Sequence, residues 1–252
     1  MDLGLKGKRV LVTGGTRGIG AAIVDCFLRE GARVAFCARD GAQVSAQVRS
    51  LQEGGYDVSG AALDVADPTA YGNWINERAQ ALGGIDVFIP NVSGGSLAGE
   101  EGWKRAFDVD LMATVRGCDH VLPHMATSGD GAIVVIASIA GLEDFGSPGA
   151  YNTIKAGLVA YASQLGAAGA PHGIRVNCVS PGPIHVPDGF WGGIEREQPD
   201  AYSATVQRQP FGRLGLPEEV ANGVVFLASP AAKWITRTNL IVDGGFTKRV
   251  QF

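Results

Sequence analysis

The chain is short of charge, and shorter still of charge of one sign. Among 252 residues, 21 are Lys or Arg and 25 are Asp or Glu, a formal net charge of −4, with no cluster of basic side chains. Nucleic acid and anionic membrane surfaces select for a positive footprint, so neither is expected as a partner. Long apolar runs are also missing: nothing approaches the roughly 18 residues of a membrane-spanning helix. The first apolar run, residues 10–13, is too short for a signal-peptide core, and a cytoplasmic protein is expected. Cysteine is scarce. Cys26, Cys37, Cys118 and Cys178 stand far apart with no C-x-x-C pair, which argues against a zinc knuckle or a disulfide framework and leaves four reduced packing residues. Repeats, low-complexity tracts and linkers are absent, and with 46% hydrophobic residues the chain reads as one globular α/β domain over 1–252.

What is present alternates between two periods. Continuous β-branched runs at 9–13, 33–37, 57–63, 85–89, 132–137, 174–179 and 238–242 predict seven strands buried on both faces. Between them, helical spacing covers roughly 18–30, 41–53, 68–82, 103–127, 150–169 and 217–228. Pro68 and Pro217 stand near helix starts, and Gly31 and Gly83 just past helix ends. Repeated β-α-β units predict a doubly wound, Rossmann-type parallel sheet with helices on both faces and a ligand at the carboxyl ends of its strands. One long segment, Ser180 to about Leu216, reads as irregular and carries Phe190 and Trp191. It is either a substrate lid (about 183–216) or a surface excursion.

The first strand runs straight into Thr13-Gly14-Gly15-Thr16-Arg17-Gly18-Ile19-Gly20 and then a helix. Such a turn lets the backbone approach a pyrophosphate, which the helix N-terminus attracts. The spacing is T-G-x-x-x-G-x-G rather than G-x-G-x-x-G. Further along stand Asp64-Val65, Asn91, Ser138, Tyr151-x-x-x-Lys155, Asn177-x-x-x-Pro181-Gly182 and Val242-Asp243-Gly244-Gly245. In these features, across nearly its whole length, the chain resembles the single-domain short-chain dehydrogenase/reductases. The resemblance implies that Asp64, followed by Val65, contacts an adenine, that Asn91 stabilises the central sheet beside the cofactor, and that Pro181-Gly182, on to Ile184, borders a nicotinamide. It also implies a homotetramer or homodimer built on the long helices after the fourth and fifth strands.

An NAD-preferring site places a carboxylate at the end of the second strand. Here Ala38 stands there, followed by Arg39. A guanidinium fork binds a 2′-phosphate well, and Arg17 can flank the same group, so NADP(H) is preferred. Asp40, if paired with Arg39, would make the site less positive and leaves NAD(H) open.

Tyr151 and Lys155 lie one helical turn apart on one face. A free tyrosine hydroxyl is a poor proton donor or acceptor at neutral pH, and an adjacent ammonium favours its phenolate. Tyr151 is therefore the candidate general acid/base, Lys155 its partner and a contact to the nicotinamide ribose, and Ser138 the holder of the substrate oxygen. Asp110, in Phe107-Asp108-Val109-Asp110-Leu111, stands where the family has an asparagine that kinks the long helix and frees a carbonyl for a water behind the lysine. It joins the candidate catalytic set as the most consequential departure. Pro90-Asn91-Val92-Ser93-Gly94 in place of N-N-A-G, and Val186 in place of a threonine, are the other two.

Other groups are weaker candidates. His120 and His124 have metal-compatible spacing but no third ligand, and no metal is expected. His185 either reaches substrate or is a solvated loop residue. Glu143, Asp144 and Phe145 are expected along one pocket wall, and Trp103 in the core, at a dimer partner or at the pocket. The resulting expectation is NADP(H)-dependent hydride transfer between a nicotinamide and a ketone or secondary alcohol, of medium or bulky, largely uncharged character. Lys155 and the intact glycine turn argue against carbon–halogen lyase chemistry on a related fold. The alternative is a cofactor-binding regulatory or scaffold protein without activity, for which Asp110 is the main argument.

Overall fold

The computed structural model describes residues 2–126, 129–146, 148–248 and 250. Seven strands, β1 (Arg9–Thr13), β2 (Arg33–Ala38), β3 (Val58–Ala62), β4 (Val87–Ile89), β5 (Gly131–Ile136), β6 (Ile174–Pro181) and β7 (Asn239–Val242), form one sheet. Every pairing is parallel and the order is β3-β2-β1-β4-β5-β6-β7. The winding reverses between β1 and β4, which opens a crevice at their carboxyl ends.

Alternating strand residues face opposite layers. Val10, Val12, Val34, Phe36, Ile89 and Ile136 pack in one core, under α1 (Gly18–Arg29) and α9 (Pro217–Ala228), which also pack on each other. Leu11, Ala35, Cys37, Phe88, Ile133 and Val135 point to the other, beneath α3 (Pro68–Leu82), α5 (Ala113–Ala126) and α6 (Ala150–Gly169). Between β2 and β3 runs α2 (Gly41–Glu53). All four cysteines are free and buried, and burial pushes the thiols of Cys37, Cys118 and Cys178 up to about 12, which makes these three inert packing groups.

Three sequence expectations need correction. The edge strands β3 and β7 are not buried on both faces: β3 alternates and β7 is half-buried throughout, because an edge strand has a neighbour on one side only. The helix expected over 103–127 begins at Gly99 and is broken into α4 (Gly99–Arg105), a π-helical turn at Ala106–Met112, and α5; position 127 lies outside the described residues. The segment 180–216 is not irregular either. It carries β6 as far as Pro181 and two helices, α7 (Phe190–Glu197) and α8 (Pro199–Arg208). Pro199 occupies the first turn of α8, where a missing N–H costs nothing, so a proline that suggests a loop in fact starts a helix.

An ion pair at the amino end of the sheet fixes the register of β1 against β4. The backbone N and Nε of Arg9 donate to Asp86 Oδ2 at 2.8 and 2.7 Å, and Nη2 donates to Oδ1 at 2.6 Å. Burial pushes the Asp86 carboxyl up, but the hydrogen bonds and charge of Arg9 together outweigh it and hold the group below its ordinary 3.8. A carboxyl with a lowered folded-state pKa contributes stability above its unfolded value that is lost as pH falls through the folded one. Arg9→Ala, which leaves a largely buried carboxylate unpaired, is expected to cost about 3 kcal/mol at pH 7. Denaturant unfolding of both proteins should show the gap narrowing below pH 4; a gap independent of pH would rule out an ionised pair.

Candidate active site

The glycine turn joins β1 to α1 at the sheet's reversal point. Gly20 is required there by close approach: a Cβ on it would stand 2.0 Å from the Gly14 carbonyl oxygen and 2.6 Å from Asn91 Nδ2. Asn91, just past β4, ties the two strand ends together. Its amide donates to the carbonyls of Thr13 (3.0 Å) and Gly14 (3.3 Å), and its backbone N donates to Thr13 Oγ1 at 2.9 Å.

Over this turn lies a cavity of about 470 Å³, a size suited to a small-molecule ligand. It brings together Gly14, Thr16, Arg17, Ile19, Gly20, Arg39, Asp64, Val65, Asn91 and Ile184 from the sequence-predicted set. Gly18, Tyr151, Lys155, Pro181 and Gly182 are not on its wall. Gly18 lies just under it, facing Val186, whose Cγ2 would be 3.3 Å from a Cβ there. Ile184 and Val186 thus fold the segment after β6 back over the turn. Arg17 and Arg39 are both exposed at the wall. Asp40 does not neutralise Arg39 as the sequence allowed. Its carboxylate caps α2, accepting from the backbone N of Ala42 (2.9 Å) and Gln43 (3.1 Å), and an Asx-type cap of this kind is the preferred local use of an aspartate before a helix. Gln43 and Arg105 also line the cavity. Sequence reading missed both, since each is an ordinary solvent-facing residue in its own helix and only the tertiary fold aims it inward.

At the other end of the crevice, β5, α6 and the π-helical turn meet. Ser138, two residues past β5, is buried; its Oγ accepts from the backbone N of Ala140 at 3.1 Å, which leaves the hydroxyl proton free to donate. The short turn that follows Ser138 packs on α6. Lys155 is 2% exposed. Its Nζ donates to the carbonyl of Ile136 at 3.1 Å and lies 5.6 Å from the centre of the Tyr151 ring. Asp110 is 1% exposed, with Oδ1 3.1 Å from Lys155 Nζ, an ion-pair contact without hydrogen-bond alignment. Its Oδ2 accepts from the backbone N of Gly94 at 2.7 Å. The Asp110 carbonyl takes the Thr114 hydroxyl at 2.7 Å, so the helix carbonyl that the resemblance leaves for a water already has one partner. The widened π turn aims Asp110 inward, a recurrent use of such turns at functional sites.

The remaining candidates have other partners. His185 pairs with Glu195 (2.8 Å) and meets Tyr202 edge-on. Glu143 accepts from the backbone N of Lys248, Asp144 from that of Gly146, and Phe145 stacks on Phe246. Trp103 is exposed rather than in the core. His124 lies 3.1 Å from Asn76 Oδ1, and among the described residues no three His, Cys, Asp or Glu side chains come together as a metal set would. No helix among them is long and apolar enough to cross a membrane.

A parallel sheet with a glycine turn at its reversal point, and a buried lysine beside the Tyr151 ring, is the arrangement of a dinucleotide-binding fold, and comparison with known proteins gives the class. A family model described as enoyl-(acyl carrier protein) reductase matches residues 14–247. The chain is 39% identical to an isoepoxydon dehydrogenase of Penicillium expansum, over 100% of this chain and 99% of that one. It is 31% identical to a 2,5-dichloro-2,5-cyclohexadiene-1,4-diol dehydrogenase of Sphingobium indicum, over 96% and 97%. The structure of L-sorbose reductase from Gluconobacter frateurii, complexed with NADPH and L-sorbose, superposes with a TM-score of 0.91 at 32% identity, covering 99% and 100%. The chain belongs to the short-chain dehydrogenase/reductase family and is an oxidoreductase of CH–OH and C=O groups.

Proposed function

We propose that the protein transfers hydride reversibly between NADP(H) and a ketone or secondary alcohol on a six-membered carbocycle. The observation that carries this reading is the buried Lys155 ammonium, held by the Ile136 carbonyl at the end of β5 and set beside the Tyr151 ring. In the reductive direction Tyr151 gives its proton to the carbonyl oxygen as hydride reaches the carbon, and Ser138 donates a hydrogen bond to that oxygen. In the oxidative direction Tyr151 takes the alcohol proton. Lys155 stabilises the phenolate by charge and holds the nicotinamide ribose, and Asp110 is a positioning residue for Lys155. The cofactor residues are Gly14, Thr16, Arg17, Gly18, Ile19, Gly20, Arg39, Asp64, Val65, Asn91, Pro181, Gly182 and Ile184. A nicotinamide cofactor supplies the hydride when bound.

NADP(H) is favoured by Arg17 and Arg39 at one end of the cavity and by the absence of a carboxylate at Ala38. The carbocyclic substrate class is supported by the cyclohexadiene-diol named for one relative. The whole chain acts as one domain with 183–216 as its substrate lid. The exposed Trp103 and Phe107, one helical turn apart, favour burial between subunits of a homotetramer, and the four unpaired cysteines suit the cytoplasm. The non-catalytic alternative rested on Asp110. Against it, Lys155 stays beside the Tyr151 ring although Asp110 also meets its ammonium.

Tyr151→Phe is expected to lower turnover of NADPH with cyclohexanone-type ketones by at least about a hundredfold while NADPH binding stays within twofold, since only the hydroxyl is lost. Undiminished turnover would remove Tyr151 from the chemistry, and inactivity of the unaltered protein on a broad carbonyl panel would favour the non-catalytic alternative. For the cofactor, Arg39→Ala should weaken NADPH by roughly ten- to a hundredfold, the value of a charge-assisted phosphate contact, and NADH far less. Parallel titrations decide it: equal losses would take Arg39 off the 2′-phosphate.

A further inference from the structure

Gly94 is gripped on both sides of its Cα. Its N–H donates to Asp110 Oδ2 at 2.7 Å, and its carbonyl accepts from Arg105 Nε at 2.9 Å. The grip is tight. A Cβ on Gly94 would stand 3.0 Å from Arg105 Cγ and 3.1 Å from both the Arg105 carbonyl oxygen and Asp110 Oδ2. Arg105 is the last residue of α4 and also lines the 470 Å³ cavity. Among the described residues its terminal Nη groups have no hydrogen-bond partner, so they are available to a ligand there. At the other end, Asp110 meets Lys155 at 3.1 Å with both side chains almost completely buried. A run of polar contacts therefore leads from the cavity wall through Arg105, the two backbone polar groups of Gly94 and Asp110 to Lys155.

We infer that Arg105 is a positioning residue that couples occupancy of the cofactor cavity to the placement of Lys155, with Gly94 as the link. The inference rests on the proposed nicotinamide cofactor. The Arg105 guanidinium is one rigid plane, so its Nη groups cannot swing toward a bound ligand without turning the Nε–H that holds the Gly94 carbonyl. The N–H and carbonyl of Gly94 belong to two peptide planes that meet at its Cα, and that Cα is hemmed in by Arg105 and Asp110, so displacement of the carbonyl shifts Gly94 and with it the N–H that Asp110 accepts. Asp110 in turn sets the lysine, because a buried ammonium follows its one carboxylate partner. An asparagine at 110 accepts the same Gly94 N–H but offers Lys155 no charge, so the coupling depends on the aspartate of this chain.

The test measures NADPH dissociation constants, turnover at saturating NADPH with the fastest cyclic ketone, and amide exchange over residues 93–98 with and without NADPH. Arg105→Met, Arg105→Lys and Gly94→Ala are compared with the unaltered protein, all at matched thermal midpoints. Arg105→Met is expected to weaken NADPH about five- to tenfold, the value of a charged hydrogen bond at a partly exposed site. Its kcat at saturating NADPH should fall severalfold as well, and NADPH should no longer slow exchange at Gly94. Arg105→Lys should recover part of the affinity but little of the kcat, because an ammonium cannot make the Nε contact and reach the cavity at once. Gly94→Ala should lower kcat with a smaller change in affinity. If Arg105→Met raises only the dissociation constant, or the slowing at Gly94 persists in it, the coupling is overturned while the cofactor reading stands. If the unaltered protein binds neither NADPH nor NADH, the cofactor reading itself fails and takes this inference with it.

Discussion

Two charges, the Lys155 ammonium and the Asp110 carboxylate, lie 3.1 Å apart with almost no exposure to solvent. Moving either out of water alone would cost several kcal/mol, and removing one partner leaves the other stranded. The surroundings are built to make the pair tolerable: Ile136 at the end of β5 offers its carbonyl to the ammonium, and Gly94 offers its N–H to the carboxylate. That arrangement ties α6, β5, the π-helical turn and the loop after β4 into one constellation. The position of the Tyr151 ring follows from it, because Tyr151 sits one turn before Lys155 on the same helix.

The sheet provides the rest of the setting. Reversal of the winding between β1 and β4 leaves a crevice where neither crossover covers the strand ends. Asn91 closes the base of that crevice by joining the carboxyl ends of both strands, and the Arg9–Asp86 pair holds the same two strands at the opposite end. The glycine turn can then be contacted closely from above by Ile184 and Val186. A strand pair pinned at both ends gives a rigid floor, which is what a site needing sub-ångström placement of reacting groups demands.

Much of this was legible in the residues. Continuous β-branched runs give away buried parallel strands, and the glycine spacing with Ser138, Tyr151 and Lys155 points to the candidate site. What escaped has physical reasons. Edge strands obey the same local preferences as central ones, so β3 and β7 differ only through their missing neighbours. Proline serves equally as a loop residue and as a first-turn helix residue, which hid α8. The π turn at Ala106–Met112 follows from where Asp110 must point, and no periodicity in the sequence announces it. Arg105 has the same character: in α4 it is an ordinary basic residue at a helix end, and its contact with Gly94 exists only after the chain folds. Asp40 looked like a neighbour of Arg39 and turned out to cap α2, because the nearest unpaired backbone N–H groups are its own helix's.

The central claim is that hydride passes directly from the cofactor to a carbonyl carbon in the space beside Tyr151. NADPH stereospecifically deuterated at nicotinamide C4, turned over with a cyclic ketone, tests it most directly. The account predicts one deuterium at the carbinol carbon of the product, delivered to a single face, with none exchanged to solvent. Product free of deuterium, or deuterium appearing in water, would contradict it.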